Sequence, residues 1–129
     1  MLTPWRGVLV PDLPYSEAGI AADWLAATGL ELADGSPWQG VTACTGAPRC
    51  AHGLGETRSL ADRIVQERLP GNENGVVPVH VVGCSRRCGS PRGAHVEVLS
   101  LPDRVEIARD GRTAVVPVVG APAAVWGGR

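Results

Sequence analysis

Four cysteines are the residues of this chain whose type and spacing could do chemistry. They fall in two pairs, Cys44-Thr-Gly-Ala-Pro-Arg-Cys50 and Cys84-Ser-Arg-Arg-Cys88, a C-x5-C and a C-x3-C separated by 33 residues. A compact metal centre requires such an arrangement, because each loop delivers two thiolates and the intervening chain folds to bring the loops together. Thiolates are soft donors that select zinc, copper(I) or iron-sulfur clusters over hard cations. Structural zinc is grasped from tight C-x2-C to C-x4-C turns with bonds of about 2.3 Å, and C-x5-C is wide for that. A 4Fe-4S cubane is larger and suits looser loops, which Gly46, Pro48, Gly83, Gly89 and Pro91 would shape. The spacing favours the cluster, with a zinc ion, structural thiols or disulfides as the alternatives.

Arginines crowd the same stretches: Arg49 in the first pair, Arg86 and Arg87 in the second, Arg92 just after it. They are either solvated loop charges or guanidiniums that neutralise a thiolate-ligated cluster or grip the carboxylates of an anionic macrocycle. His52, His80 and His95 could ligate a metal, but four cysteines already complete a site, so the reading for each is packing, hydrogen bonding or surface. The four tryptophans read as core or interface residues, with Trp24 on an apolar helix face, Trp5, Trp38 and Trp126 flanking loops, and cofactor stacking as the other role for Trp38. Glu56 and Glu67 have no paired carboxylate for acid-base work. No Ser-His-Asp arrangement, P-loop or dinucleotide fingerprint is present.

The elements that must position the cysteines follow from periodicity and breakers. Gly7 to Val10 reads as a strand end closed by Pro11. Ser16 is the expected N-cap of a helix whose Ile20, Ala21, Trp24 and Leu25 recur at helical spacing until Gly29. A loop over residues 33–40 leads to a short strand, Val41 to Ala43, with Cys44 at its end. A second helix is predicted from Glu56 to Leu69, with Leu60, Ile64, Val65 and Leu69 apolar and Pro70-Gly71 ending it. Pro78 to Val82 reads as a buried strand, again with a cysteine loop at its end. Three further strands are expected over Ala94–Leu99, Arg104–Arg109 and Arg112–Val118, the last two joined at the hairpin signal Asp110-Gly111. Helices and strands alternate early and the strands meander late, so the class is α+β, with two main helices and a mixed or antiparallel sheet. Residues 120–129, rich in Gly, Ala and Pro, read as a flexible tail.

The chain has 129 residues, enough for one modest core, and 12 basic against 13 acidic residues. That balance gives no reason to expect a nucleic acid or an anionic membrane surface as partner. All twelve basic residues are Arg and none is Lys, a bias that fits a GC-rich genome. The first residues lack a secretory signal and no apolar run approaches the ~20 residues of a membrane span. The expected location is the cytoplasm, where thiols stay reduced and cysteines are available to metals.

Thr42-Ala-Cys44-Thr-Gly-Ala-Pro-Arg-Cys50, followed by Val79-His-Val-Val-Gly-Cys84-Ser-Arg-Arg-Cys88-Gly, resembles the sulfite and nitrite reductase family, whose members couple sirohaem to a 4Fe-4S cluster. The family's four ligands share the C-x5-C and C-x3-C pattern, so the resemblance implies Cys44, Cys50, Cys84 and Cys88 as ligands and Cys88 as the thiolate that bridges cluster and sirohaem iron. Leu2-Thr-Pro-Trp-Arg6-Gly looks like part of the family's ferredoxin-like repeat. The resemblance thus implies the end of such a half-repeat over residues 1–39 and a cluster-binding part over 40–119. Within the family, His80-Val-Val-Gly-Cys84-Ser-Arg-Arg-Cys88-Gly-Ser-Pro looks more like the precorrin-3B synthase branch, which oxidises a corrin-ring precursor in aerobic cobalamin synthesis. Members are several times longer, built from two pseudo-repeats, and draw most of their anion-gripping residues from a half that this sequence does not contain. The resemblance therefore implies a separate N-terminal-half subunit or a second copy, a cluster-only electron carrier, or a relic.

Overall fold

The computed structural model describes residues 1–2, 7–32, 35–68 and 77–127. The chain divides into two compact units, Met1–Ser36 and Pro37–Arg129. In the first, the expected strand end near Gly7 is an isolated antiparallel bridge between Leu2 and Val8, closed by Leu9 N–H donating to the Met1 carbonyl at 2.9 Å. Helix α1 spans Tyr15–Ala27. It starts one residue before Ser16, with Pro14 at the N-cap and no side-chain cap. Its end is as expected, with Gly29 at φ +83. No residue of α1 is buried and Trp24 is 75% exposed, so the core reading of Trp24 does not hold. A unit of 36 residues with one helix has no second layer with which to cover an apolar face. Trp5 and most of the Leu2 to Gly7 segment lie outside the described residues.

The second unit is a five-stranded mixed sheet with helices, and the class is α+β. Its strands are β1 (Val41–Ala43), β2 (Val79–Val82), β3 (Val96–Ser100), β4 (Arg104–Arg109) and β5 (Arg112–Pro117), in that spatial order. β1, β2 and β3 are mutually parallel, while β3, β4 and β5 form an antiparallel meander. Parallel neighbours need a long crossover. Helix α2 (Arg58–Gln66) supplies it between β1 and β2, and the loop over residues 83–95, which carries Cys84 and Cys88, supplies it between β2 and β3. The β4–β5 hairpin turns at Asp110 and Gly111, with φ of +50 and +75, the two left-handed residues of a type I′ turn.

One face of the sheet forms the core. Val79, Val81, Val96, Val98, Val105 and Ile107 alternate onto it and pack with Leu60, Ala61, Ile64 and Val65 of α2. Leu69, predicted as part of the same helix face, and the Pro70-Gly71 stop lie outside the described residues. Trp38 packs against this core, so its place in the fold is structural. A third helix, α3 (Ala121–Gly127), follows a short 3₁₀ turn at Val118–Gly120 and overturns the expectation of a frayed tail. Ala121 and Val125 are completely buried, Trp126 donates its indole N–H to the Ile64 carbonyl at 2.7 Å, and Arg68 stacks over the Trp126 ring at 5.3 Å. Composition suggested a tail because Gly and Pro are weak helix formers. Tertiary burial of one small apolar face outweighs that propensity here.

Val125→Ala is accordingly expected to lower unfolding stability by about 2 kcal/mol in urea titrations. Val115→Ala, at a site 61% exposed, is expected to change it by less than about 0.5 kcal/mol.

Candidate metal centre

Both cysteine pairs sit where parallel strands end. Cys44 follows the last residue of β1 and Cys84 stands two residues past the end of β2, and because β1 and β2 are paired in parallel, with Ala43 opposite Val81, both loops leave the sheet at one edge. Cys44 continues the pairing, its N–H donating to the Val81 carbonyl at 2.9 Å. Its own carbonyl accepts the Thr57 hydroxyl at 2.7 Å, and Thr57 is completely buried. Thr57 therefore ties the start of α2 to the first cysteine and leaves that helix without a side-chain cap.

The two loops interlock. Between them, Leu54 N–H donates to the Gly83 carbonyl at 2.8 Å and Gly83 N–H to the Cys44 sulfur at 3.3 Å, while within the first loop Ala47 N–H donates to the Gly55 carbonyl at 3.0 Å. Gly46 has φ +62, and a Cβ there would collide with the Thr57 side chain, so only glycine fits this approach. Cys50 closes a turn, its N–H donating to the Gly46 carbonyl at 2.8 Å. In the second loop, Arg87 N–H donates to the Cys84 carbonyl at 3.2 Å, and Arg87 itself takes a left-handed φ of +50.

The four thiols are free, with Cys44, Cys50 and Cys84 half-buried and Cys88 exposed. Among the described residues, no three His, Cys, Asp or Glu side chains stand close enough together to share a metal ion. In donor chemistry the site fits an iron-sulfur cluster: four unpaired thiols, two from each of two interlocked loops, and a backbone N–H aimed at one sulfur, the kind of contact that tunes such clusters.

The arginines separate. Arg49, Arg86 and Arg92 are exposed, and Arg49 shares a cleft beside the first loop with Arg58, a residue that spacing gave no reason to single out. Arg87 is engaged by Glu97, Nε to carboxylate at 2.8 Å, and Ser90 donates to the same carboxylate at 3.3 Å. Of the histidines, His52 is exposed, His95 lies half-buried beside Glu97, with Nε2 3.9 Å from the carboxylate, and His80 is buried completely. Thr57 and Glu97 escaped sequence reading because isolated polar residues carry no periodic signal. Thr57 fell inside the predicted helix, which begins two residues later than expected, at Arg58, so that Thr57 stands at its N-cap.

No helix among the described residues is long and apolar enough to cross a membrane. No protein-family model matches the chain. Among curated proteins it is similar to precorrin-3B synthase of Sinorhizobium sp., with 27% identity over 116 residues, 90% of this chain and 25% of that protein. The chain thus spans about a quarter of the length of the curated relative it matches, and the match runs through most of the residues described above.

Proposed function

We propose that Cys44, Cys50, Cys84 and Cys88 hold a 4Fe-4S cluster, and that the chain serves oxidation of a tetrapyrrole precursor in cobalamin biosynthesis, in the manner of a partial precorrin-3B synthase, together with a partner chain in the cytoplasm. The observation that carries this reading is the meeting of two loops with two free thiols each at the shared end of β1 and β2. Loading would draw the sulfurs together from two loops that are already joined by the hydrogen bond from Leu54 N–H to the Gly83 carbonyl. A bound cluster supplies one-electron transfer at a potential set by burial and by hydrogen bonds to its sulfurs. Gly83 N–H is placed to make one such bond to Cys44.

Sirohaem or a tetrapyrrole substrate would be an anion rich in carboxylates. Arg49, Arg86 and Arg92, exposed around the two loops, are free-standing guanidiniums of the type that binds carboxylate in a fork. Three residues do not make a complete macrocycle pocket. The remaining contacts are assigned to the partner, an N-terminal-half subunit or a second copy of the chain. A second reading, a stand-alone 4Fe-4S electron-transfer module, draws on the same cysteines and on the short span of the match to the longer relative.

Protein purified without oxygen is expected to contain about four iron and four acid-labile sulfide per chain, with a broad absorption near about 400 nm, and Cys→Ser at any of the four positions is expected to abolish stoichiometric loading. Zinc in place of iron and sulfide would overturn the redox reading in favour of a zinc-stabilised interaction domain. Loss of cobalamin on deleting the gene, restored by wild type but not by Cys84→Ser, would support the pathway, whereas normal cobalamin in the deletion strain would leave only the electron-transfer reading.

Gly46→Ala tests the loop geometry separately. It is expected to cost about 1–3 kcal/mol in a urea melt through backbone strain, and to reduce iron loading, measured by iron content per folded chain, while Gly120→Ala, in open space outside both cysteine loops, leaves loading unchanged.

A further inference from the structure

The face of the sheet opposite the core carries a polar row. Thr42 on β1, His80 on β2 and Glu97 on β3 are register neighbours, so their side chains emerge side by side. His80 is completely buried there, and both of its ring nitrogens are engaged. Nε2 lies 3.0 Å from the Cys88 carbonyl and Nδ1 lies 2.7 Å from the Thr42 hydroxyl. A carbonyl only accepts, so Nε2 carries the proton and donates. In the neutral ring Nδ1 then accepts from Thr42, which fixes the tautomer. The neighbouring Glu97, its side chain only 13% exposed, holds Arg87 and Ser90.

These contacts take hold of the chain immediately before, at and after Cys88. Arg87 and Gly89, on either side of it, both have left-handed φ, +50 and +80. The backbone is thus bent sharply and held through the Arg87 side chain, the Cys88 carbonyl and the Ser90 side chain, while Cys88 itself remains exposed.

We infer that His80 and Glu97 are positioning residues, which clamp the backbone of residues 87–90 to the sheet and so fix where the Cys88 sulfur is offered to its ligand. This rests on the cluster reading of the four cysteines for its purpose, though not for its geometry. Of the four thiols, Cys88 is the most exposed and lies in a loop with no strand of its own. A loop in that position presents one sulfur reproducibly only if its main chain is tied down, as the outer-shell partners of metal ligands do elsewhere.

The test uses the full chain in two states. In the metal-free protein, backbone ¹⁵N order parameters of residues 87–90 are expected near about 0.85 in wild type and below about 0.6 in His80→Met, with Val98 unchanged. His80→Gln, whose amide still donates to the Cys88 carbonyl, is expected to restore them. In the iron-loaded protein, His80→Met is expected to release iron to a chelator about tenfold faster than wild type, at the lower end of what outer-shell partners contribute, with His80→Gln again close to wild type. Should His80→Met fail to fold, Thr42→Val, which removes only the donor to Nδ1, is expected to move order parameters and iron release in the same direction. Unchanged order parameters in the folded variants, or iron release identical across the series, would overturn the clamp. If wild type takes up no iron, the cluster reading falls by itself and the metal-free order parameters still decide whether His80 holds the loop.

Discussion

The parallel pairing of β1 with β2 constrains everything at the cysteine end of the molecule. Three residues of register, Val41 with Val79, Thr42 with His80 and Ala43 with Val81, bring the chain segments that follow each strand to the same edge. Antiparallel pairing would have sent the two loops to opposite ends, about 10 Å apart over three residues, too far for one small inorganic centre. The pairing is itself enforced from below. Val79 and Val81 are at most 1% exposed beneath α2, and a one-residue slip would turn them onto the polar face and His80 into the core. Apolar burial therefore sets the register, and the register places the thiols.

The two faces of the sheet divide the work. The core face is valine-rich, with Ser100 at its end donating to the Glu56 carbonyl at 2.9 Å. The other carries Thr42, His80 and Glu97, whose burial would be costly without partners. Each of them has a partner in the structure, and two of the three reach the loop after β2. Thr57 plays a comparable part at the first loop, where its hydroxyl serves the Cys44 carbonyl and not its own helix. A polar group diverted from the nearest local partner to a distant loop indicates that the loop's position is what the local structure accommodates.

Much of this was legible in the sequence. β1 and β4 begin and end where alternation and breakers put them, α2 carries its predicted apolar face over Leu60, Ile64 and Val65, and Asp110-Gly111 makes the hairpin turn that its residues demand. What escaped was non-local. That β3 joins β2 in parallel depends on a crossover without a helix, for which the loop over residues 83–95 offers no periodic signal. The tail becomes α3 because Val125 and Trp126 find the α2 surface, a partner that no window of local sequence contains. Trp24 errs in the opposite direction, since helical spacing predicts an apolar face but not that something will cover it. At the site, residue type and spacing singled out the four cysteines, whereas their supports, Thr57 and Glu97, became visible only through contacts between distant segments.

The fate of the arginines follows from their surroundings and bears on what the exposed ones can do. Arg87 is paired with a carboxylate that is mostly buried, so its charge is largely answered within the fold and its role there is to hold the loop. Arg49, Arg86 and Arg92 lie in water, where an isolated ion pair contributes about 0–1 kcal/mol and attraction is screened beyond about 8 Å at physiological salt. Their long-range effect on a cluster held by the loops would be small. Contact with an anion that displaces water from them would be worth considerably more, because charge-assisted forks strengthen as they are desolvated. In the proposed function these three residues therefore belong to recognition of an anionic ligand or partner arriving at the loops, while the polar row beneath belongs to the placement of the sulfurs.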